Sequence, residues 1–139
     1  MNTLERPMLT GPHKPGKIQA VGIVTLVSGI SNIFWMLILT TTVILPLGIA
    51  SYGIGCLLVF FVVPPIVLGI FEIVYAAKLL PDPIKATKPS MALAILEIVC
   101  FLTGNLLSVG AGIVALVMYN DPEVKAYFQR SAPAAMVVA

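Results

Sequence analysis

The sequence predicts an all-α integral membrane protein with four transmembrane helices arranged as two hairpins, the second of them short. Three observations support this prediction. Hydrophobic residues make up 59% of the 139-residue chain, whereas soluble domains contain about 45–50% apolar residues. Two long apolar blocks, residues 18–77 and 90–119, contain Glu72 and Glu97 as their only charged residues. All eight Lys and Arg residues lie in the polar stretches outside these blocks.

The first element is a polar tail, residues 1–17, which contains several Pro and Gly residues. The apolar run after it is about twice as long as the core of a signal peptide. We therefore expect a mobile cytoplasmic tail followed by a helix that stays in the protein as an anchor.

The second element is a transmembrane hairpin over residues 18–79. A span needs about 20 apolar residues, so this block holds two, which we expect at about residues 18–44 and 50–79 because turn-forming Pro and Gly residues lie at 46–53. Pro64 and Pro65 then fall near the middle of the second helix. They remove two backbone donors and predict a kink, a feature that most often has no ligand but that forms ion sites in some transporters.

A basic loop, residues 80–89, follows, and each of the three polar stretches of the chain contains at least two Lys or Arg residues. Since basic segments stay in the cytoplasm, each apolar block should cross the membrane an even number of times. Residues 90–119 should therefore form a short hairpin that turns at Thr103-Gly104-Asn105, with arms of about 22 Å. Three long tilted helices with the C-terminus outside remain the alternative.

The last element, residues 120–139, should be an interfacial helix and a tail. Two Asp-Pro pairs, Asp82-Pro83 and Asp121-Pro122, each follow an apolar block, and such a pair favours the end of one helix and the start of another. Gly69–Tyr75 and Gly112–Tyr119 precede these pairs in similar runs, which indicates either two copies of one hairpin or convergence. After Pro122, the residues expected on the apolar side of the helix are Val124, Tyr127 and Phe128.

The run Asn120-Asp121-Pro122-Glu123-Val124-Lys125-Ala126-Tyr127-Phe128 after the last span, with Gly16-Lys17-Ile18-Gln19-Ala20 at the start of the first, resembles small polytopic membrane proteins described only as uncharacterised in bacterial genomes. The similarity covers most of residues 16–128. It implies a bacterial inner-membrane setting, and it implies no activity and no functional residues. The charge distribution separately predicts that both termini lie in the cytoplasm.

Glu72 and Glu97 form the candidate polar site in the membrane. Glu72 lies seven residues before Leu79 and Glu97 lies seven residues after Ser90. On antiparallel helices joined by the loop they therefore reach the same depth, about 10 Å from the helix ends. Carboxylates in spans are costly and face protein or water. They either pair structurally, with Lys78 or Lys85 as a partner, or form a proton or cation site, or dock a partner protein.

Five further residues are candidates for helix packing, because small and hydrogen-bonding side chains join helices in membranes. Ser28 and Asn32 lie in the first block. The others recur every four residues in the second block: Gly104, Ser108 and Gly112.

Several function classes have no sequence support. Cys56 and Cys100 lie in apolar runs without a CxxC pair, His13 has no neighbouring ligand, and no nucleotide-binding or catalytic motif occurs. We therefore expect no enzyme, no cofactor, no metal and no nucleic acid. The leading hypothesis is an accessory or assembly subunit of a membrane complex, or a homo-oligomer, with the lipid bilayer and other subunits or itself as partners. The alternative is a minimal ion channel or proton-coupled carrier that uses Glu72 and Glu97.

Overall fold

The computed structural model describes residues 14–81, 84 and 88–131, apart from the side chains of Cys56 and Ser131. The described chain is helical and has no strand, which confirms the predicted all-α class. Most of the tail 1–17, the Asp82-Pro83 pair, Lys85 and the tail 132–139 lie outside the described residues. The helices are α1 (Gly16–Leu39), α2 (Leu45–Ala50), α3 (Val59–Leu79), α4 (Met91–Val99), α5 (Leu106–Asn120) and α6 (Pro122–Ser131).

The first hairpin begins with one continuous 35-residue helical rod, Gly16–Ala50, in which a π-helical segment, Thr40–Ile44, joins α1 to α2. The predicted end at residue 44 is therefore wrong. Pro46 has no N–H and would clash with the carbonyl group four residues earlier, and the wider π turn before it accommodates the ring. The hydroxyl groups of Thr40, Thr41 and Thr42 donate to carbonyl oxygens of the preceding turn.

The return helix α3 starts later than the sequence suggests. A turn at Ser51–Gly53 and a 3-10 segment, Ile54–Leu58, precede it. Pro64 and Pro65 are consequently the sixth and seventh residues of a helix that continues to Leu79, so they lie near its start and not near its middle.

The second hairpin consists of α4, a 3-10 turn (Cys100–Thr103) and α5, with Gly104 in the left-handed conformation at φ 77° between them. The Asn105 side chain accepts a hydrogen bond from the Ser108 N–H and caps α5. The two arms measure about 20 and 22 Å by helical rise. Of the described helices, two are long and apolar enough to cross a membrane, Gly16–Ala50 and Val59–Leu79, and not the predicted four.

The helices follow the spatial order α3, α1, α5, α4. α1 packs along α3 on one side and against α5 on the other, α4 packs on α5, and α3 and α4 meet only sparsely. Both hairpins therefore open at the same end of the molecule. The turn of the short hairpin is attached to the side of α1, where the Trp35 indole N–H donates to the Thr103 carbonyl oxygen at 2.8 Å.

The end at which both hairpins open carries basic residues and is closed by α6. The Lys14 ammonium donates to the Leu80 carbonyl oxygen at 2.8 Å. Lys17 forms ion pairs with Asp121 at 2.7 Å and with Glu123 at 3.2 Å, which join α1 to the start of α6. The buried apolar cluster at this end comprises Ile18, Val21, Leu79, Ala94, Ala115, Tyr119, Val124, Tyr127 and Phe128.

Candidate functional site

The distribution of polar and apolar side chains between the interior and the surface differs from that of a soluble fold. The exposed surface of the described helices carries Ile, Leu, Val and Phe side chains along most of its length. The interior, in contrast, contains a group of polar side chains that are each at most 4% exposed. This polar cluster consists of Ser28, Asn32, Glu72, Glu97, Asn105 and Ser108. This distribution, in which polar side chains turn inward and apolar ones outward, is the one expected in lipid.

Asn32 on α1 is the centre of this polar cluster. Its side-chain N–H₂ donates to both carboxylate oxygens of Glu72 on α3, at 3.1 and 3.0 Å. Its carbonyl oxygen accepts from the Asn105 amide at the start of α5, at 2.7 Å. Ser108 on α5 accepts from Asn32 at 3.3 Å and from Ser28 at 3.2 Å. The cluster thus joins α1, α3 and α5 through hydrogen bonds between side chains.

Glu97 on α4 differs from Glu72 in its partners. Its side chain is 1% exposed, and both carboxylate oxygens lack a hydrogen-bond partner within the described chain. The two carboxyl groups are close enough to interact electrostatically, but no hydrogen bond joins them. The partner of Glu72 is Asn32 rather than the lysine that the sequence suggested, because Lys78 is exposed on another side of α3.

Glu72 lies beside the close crossing of α1 and α3, which is built on two glycines. A Cβ atom added at Gly29 would lie 2.7 Å from the Gly69 carbonyl oxygen, 2.9 Å from Ile73 and 3.0 Å from the Glu72 Cβ. A Cβ atom at Gly69 would lie 2.7 Å from the Gly29 carbonyl oxygen. The two backbones therefore approach to a distance that side chains would prevent.

Glu97 lies beside a second crossing with the same pattern. A Cβ atom at Gly112 on α5 would lie 2.5 Å from the Ala94 carbonyl oxygen, 2.9 Å from the Glu97 Cβ and 3.0 Å from Ile98. The two crossings share one pattern. Gly29 faces Gly69 in the first crossing and Gly112 faces Ala94 in the second. In both, Glu follows the facing residue, Gly69 or Ala94, by three positions and Ile follows it by four. Asn32 follows the crossing glycine of α1 by three residues. The residue three positions after Gly112 is Ala115, which has no donor to offer Glu97.

The sequence contains a signal for this relationship that our comparison of Gly69–Tyr75 with Gly112–Tyr119 missed. Ile70-Phe71-Glu72-Ile73-Val74 and Ile95-Leu96-Glu97-Ile98-Val99 share four of five residues. The matching helices are thus α3 and α4, which run in opposite directions in the fold. The two similar segments therefore mark two similar helix crossings. They do not indicate that the whole first hairpin is repeated as the second.

The other residues singled out from the sequence are the two kink prolines and the small-residue stripe of the second block. Pro65 is buried and Pro64 is exposed on the outer side of α3. Gly104 forms the turn of the second hairpin, so of the predicted small-residue stripe Ser108 and Gly112 lie in helix contacts. The described residues contain no group of three or more His, Cys, Asp or Glu side chains that could hold a metal ion.

Of the polar cluster, Ser28 lines the groove between α1 and α5. Of three grooves on the described surface, none is lined by Glu72 or Glu97. The arrangement therefore holds helices together by hydrogen bonds, and it leaves one buried carboxyl group without a partner. In comparisons with protein-family models, curated proteins and solved structures, no match to this chain is found.

Proposed function

We propose that this chain is a non-catalytic integral membrane protein that works by association with other transmembrane helices, as a homo-oligomer or as an accessory subunit of a larger complex. In this arrangement the rod Gly16–Ala50 and α3 are the full spans, and the hairpin α4–α5 enters from the basic face. By the positive-inside rule that face is cytoplasmic. The bacterial inner membrane is the setting that the resemblance implies.

The observation that carries the proposal is the enclosure of the polar cluster. Asn32, Glu72 and Ser108 have no exposed surface, and their hydrogen bonds bridge three helices. A conduction or carrier site needs access from water at some stage, whereas polar groups that cement a helix bundle need none. Enclosure therefore favours packing over transport.

A groove between α1 and α5 is the surface best suited to a neighbouring helix. It has a volume of about 380 Å³ and is lined by residues that include Ile23, Val27, Leu107 and Val114, with Gly110 among them. Nothing lies within 4 Å of a Cβ atom built at Gly110, although glycine costs about 1 kcal/mol relative to alanine in a helix. An exposed glycine in an apolar groove allows close approach of another helix.

The first test is the mass of the protein purified in a mild detergent, which separates monomer, homo-oligomer and hetero-complex. Gly110→Leu, which fills the groove, should convert the assembly to monomer. Val117→Leu is the matched control, since Val117 is exposed on the same helix but does not line the groove, and it should leave the mass unchanged. A wild-type monomer with no partner would contradict the proposal.

The second test is ion and proton flux in liposomes. The proposal expects wild-type protein to give no flux above empty liposomes. A flux that Glu72→Gln or Glu97→Gln abolishes, in protein that keeps its helicity, would replace the proposal with the channel or carrier.

A further inference from the structure

A second apolar groove runs along the membrane-facing side of α3 and α4. Its volume is about 810 Å³, and it exists because these two helices meet only sparsely while each packs on its other neighbour. On the α3 side it extends from Phe60 to Phe71, and on the α4 side from Leu93 to Thr103. Almost all of its lining is apolar.

At the basic end this groove continues into a polar pocket of about 320 Å³. Phe71 and Leu93 line both cavities. The pocket adds Tyr75, Lys78 and Ser90. The Tyr75 hydroxyl donates to the Lys88 carbonyl oxygen at 2.8 Å and accepts from the Ser90 N–H at 3.0 Å. The molecule thus presents one continuous surface that is apolar along its length and cationic at its mouth.

We propose that this surface binds one anionic phospholipid of the cytoplasmic leaflet, with an acyl chain in the α3–α4 groove and the phosphate headgroup at Lys78 and Ser90. This inference rests on the membrane placement in the proposed function. It does not depend on the association surface, which lies between α1 and α5.

The part of the groove nearer the basic end is within reach of one acyl chain. Phe60 and Phe71 are eleven residues apart on α3, which is about 16 Å by helical rise. The hydrocarbon of one leaflet is half of about 30 Å. An acyl chain anchored by its headgroup at Lys78 would enter the groove at Phe71, seven residues or about 10 Å away by helical rise. Phe60 lies 18 residues, about 27 Å, from Lys78, so the chain would occupy the part of the groove nearer Phe71, and the far end would lie in the opposite leaflet.

The charge at the mouth selects the headgroup. Lys78 is exposed, Lys88 is exposed nearby, and no acidic side chain lines the described pocket. Basic pockets between helices on the cytoplasmic side favour anionic lipids. The first turn of α4 adds to this preference, because backbone N–H groups at a helix start favour a phosphate, and Ala92 and Leu93 of that turn line the pocket.

Native mass spectrometry of the detergent-purified protein tests the headgroup. Phosphatidylglycerol and phosphatidylcholine with identical acyl chains are titrated into separate samples. We expect phosphatidylglycerol to bind more tightly, and Lys78→Gln to weaken its binding about fivefold, as expected for one cation near an anionic headgroup, with phosphatidylcholine binding unchanged. Lys125→Gln removes a charge from exposed α6 at the same end and should leave the preference intact.

A second pair of variants tests the acyl-chain groove. Leu96→Trp fills the groove, whereas Ile95→Trp places the same side chain at the adjacent position, which is similarly exposed but does not line it. We expect Leu96→Trp to reduce the binding of both lipids and Ile95→Trp to change neither. Helicity and thermal unfolding of each variant establish that it is folded.

Equal binding of the two lipids, or an unchanged preference in folded Lys78→Gln, would overturn the inference. So would cross-linking of Leu96→Cys to another protein, because a protein helix would then occupy the groove. The experiments distinguish failure of this lipid-binding inference from failure of the proposed function. Loss of the chain from membranes washed with alkaline carbonate would overturn both, whereas a monomeric mass with an intact lipid preference would overturn the association alone.

Discussion

At the scale of single residues, Glu72 and Glu97 show how the residue opposite a buried carboxyl group changes its contribution to stability. Both lie beside a close helix crossing, but only Glu72 faces an amide donor. A buried polar group that forms hydrogen bonds contributes modestly, whereas one left without a partner costs about 1–3 kcal/mol. The two glutamates should therefore respond in opposite directions to replacement by an apolar side chain of similar length.

We predict that Glu97→Met raises the free energy of unfolding in mixed detergent micelles by about 1–3 kcal/mol, because it removes an unpaired buried carboxyl group. Glu72→Met should lower it by a similar amount, since the Asn32 N–H₂ group loses the carboxylate that accepts from it. If Glu97→Met destabilises the protein as much as Glu72→Met does, Glu97 has a partner outside the described residues, and a proton or ion role gains support.

Asp121 gives a prediction for acidic pH. Its hydrogen bond from Lys17, and secondly that from the Glu123 N–H, lower the pKa of Asp121 below its ordinary value of 3.8. A lowered folded-state pKa stabilises the fold above the unfolded-state pKa, and this contribution is lost as pH falls through the folded-state pKa. Amide exchange in α6 should therefore accelerate below about pH 4. In Asp121→Asn this step should be absent; an unchanged step would show that another group causes it.

At the scale of helices, two glycines of α5 should behave differently although they are two residues apart. Gly112→Ala would place its Cβ 2.5 Å from the Ala94 carbonyl oxygen, so we expect a loss of about 1–3 kcal/mol from forced separation of α4 and α5. Gly110→Ala meets open space and should gain about 0.5–1 kcal/mol in the monomer from higher helix propensity. Unfolding in mixed micelles measures both, and equal effects would contradict the described crossing.

The same scale shows what the sequence predicts well. The long apolar blocks predict helices because a helix satisfies its backbone hydrogen bonds within a single segment in an apolar environment, and Gly104 predicts the turn of the second hairpin because glycine adopts positive φ at low cost. The ends of helices that lie inside an apolar run are harder to predict from the sequence. The rod continues past Pro46 because a π segment accommodates the proline, and that adjustment leaves no mark on hydropathy.

The sequence pattern also does not predict the hydrogen-bond partner of Glu72, or that Glu97 lacks one among the described residues. Equal depth follows from their spacing to the loop, but hydrogen bonding depends on which side chain crosses opposite. Asn32 reaches Glu72 because the Gly29–Gly69 contact sets the register of α1 on α3. The repeated Ile-x-Glu-Ile-Val pattern accompanies two similar crossings, but only the fold shows that Gly29 and Gly112 are the glycines that face them.

At the scale of the whole molecule, the two hairpins have unequal lengths and open at one end. The long hairpin extends well beyond the turn at Gly104, which is attached to α1 at Trp35. The basic residues Lys14, Lys17 and Lys88 lie at the shared end, whereas the opposite end carries the apolar turn with Tyr52 fully exposed. Charge and shape therefore distinguish the two ends, and this asymmetry determines an orientation in the membrane.

We predict that a membrane-impermeant maleimide added to intact cells labels only the end that contains Tyr52. Single cysteines at Tyr52, Lys88 and Gln129, all exposed, are introduced after replacement of Cys56 and Cys100 by serine and alanine. Tyr52→Cys should react from outside, because two full spans place it on the face opposite the basic end. Lys88→Cys and Gln129→Cys should react only after permeabilisation, since the hairpin α4–α5 returns to the face from which it enters. Three long tilted helices would instead expose Gln129→Cys outside while Lys88→Cys stays protected, so labelling of Gln129→Cys in intact cells would contradict the paired-hairpin arrangement.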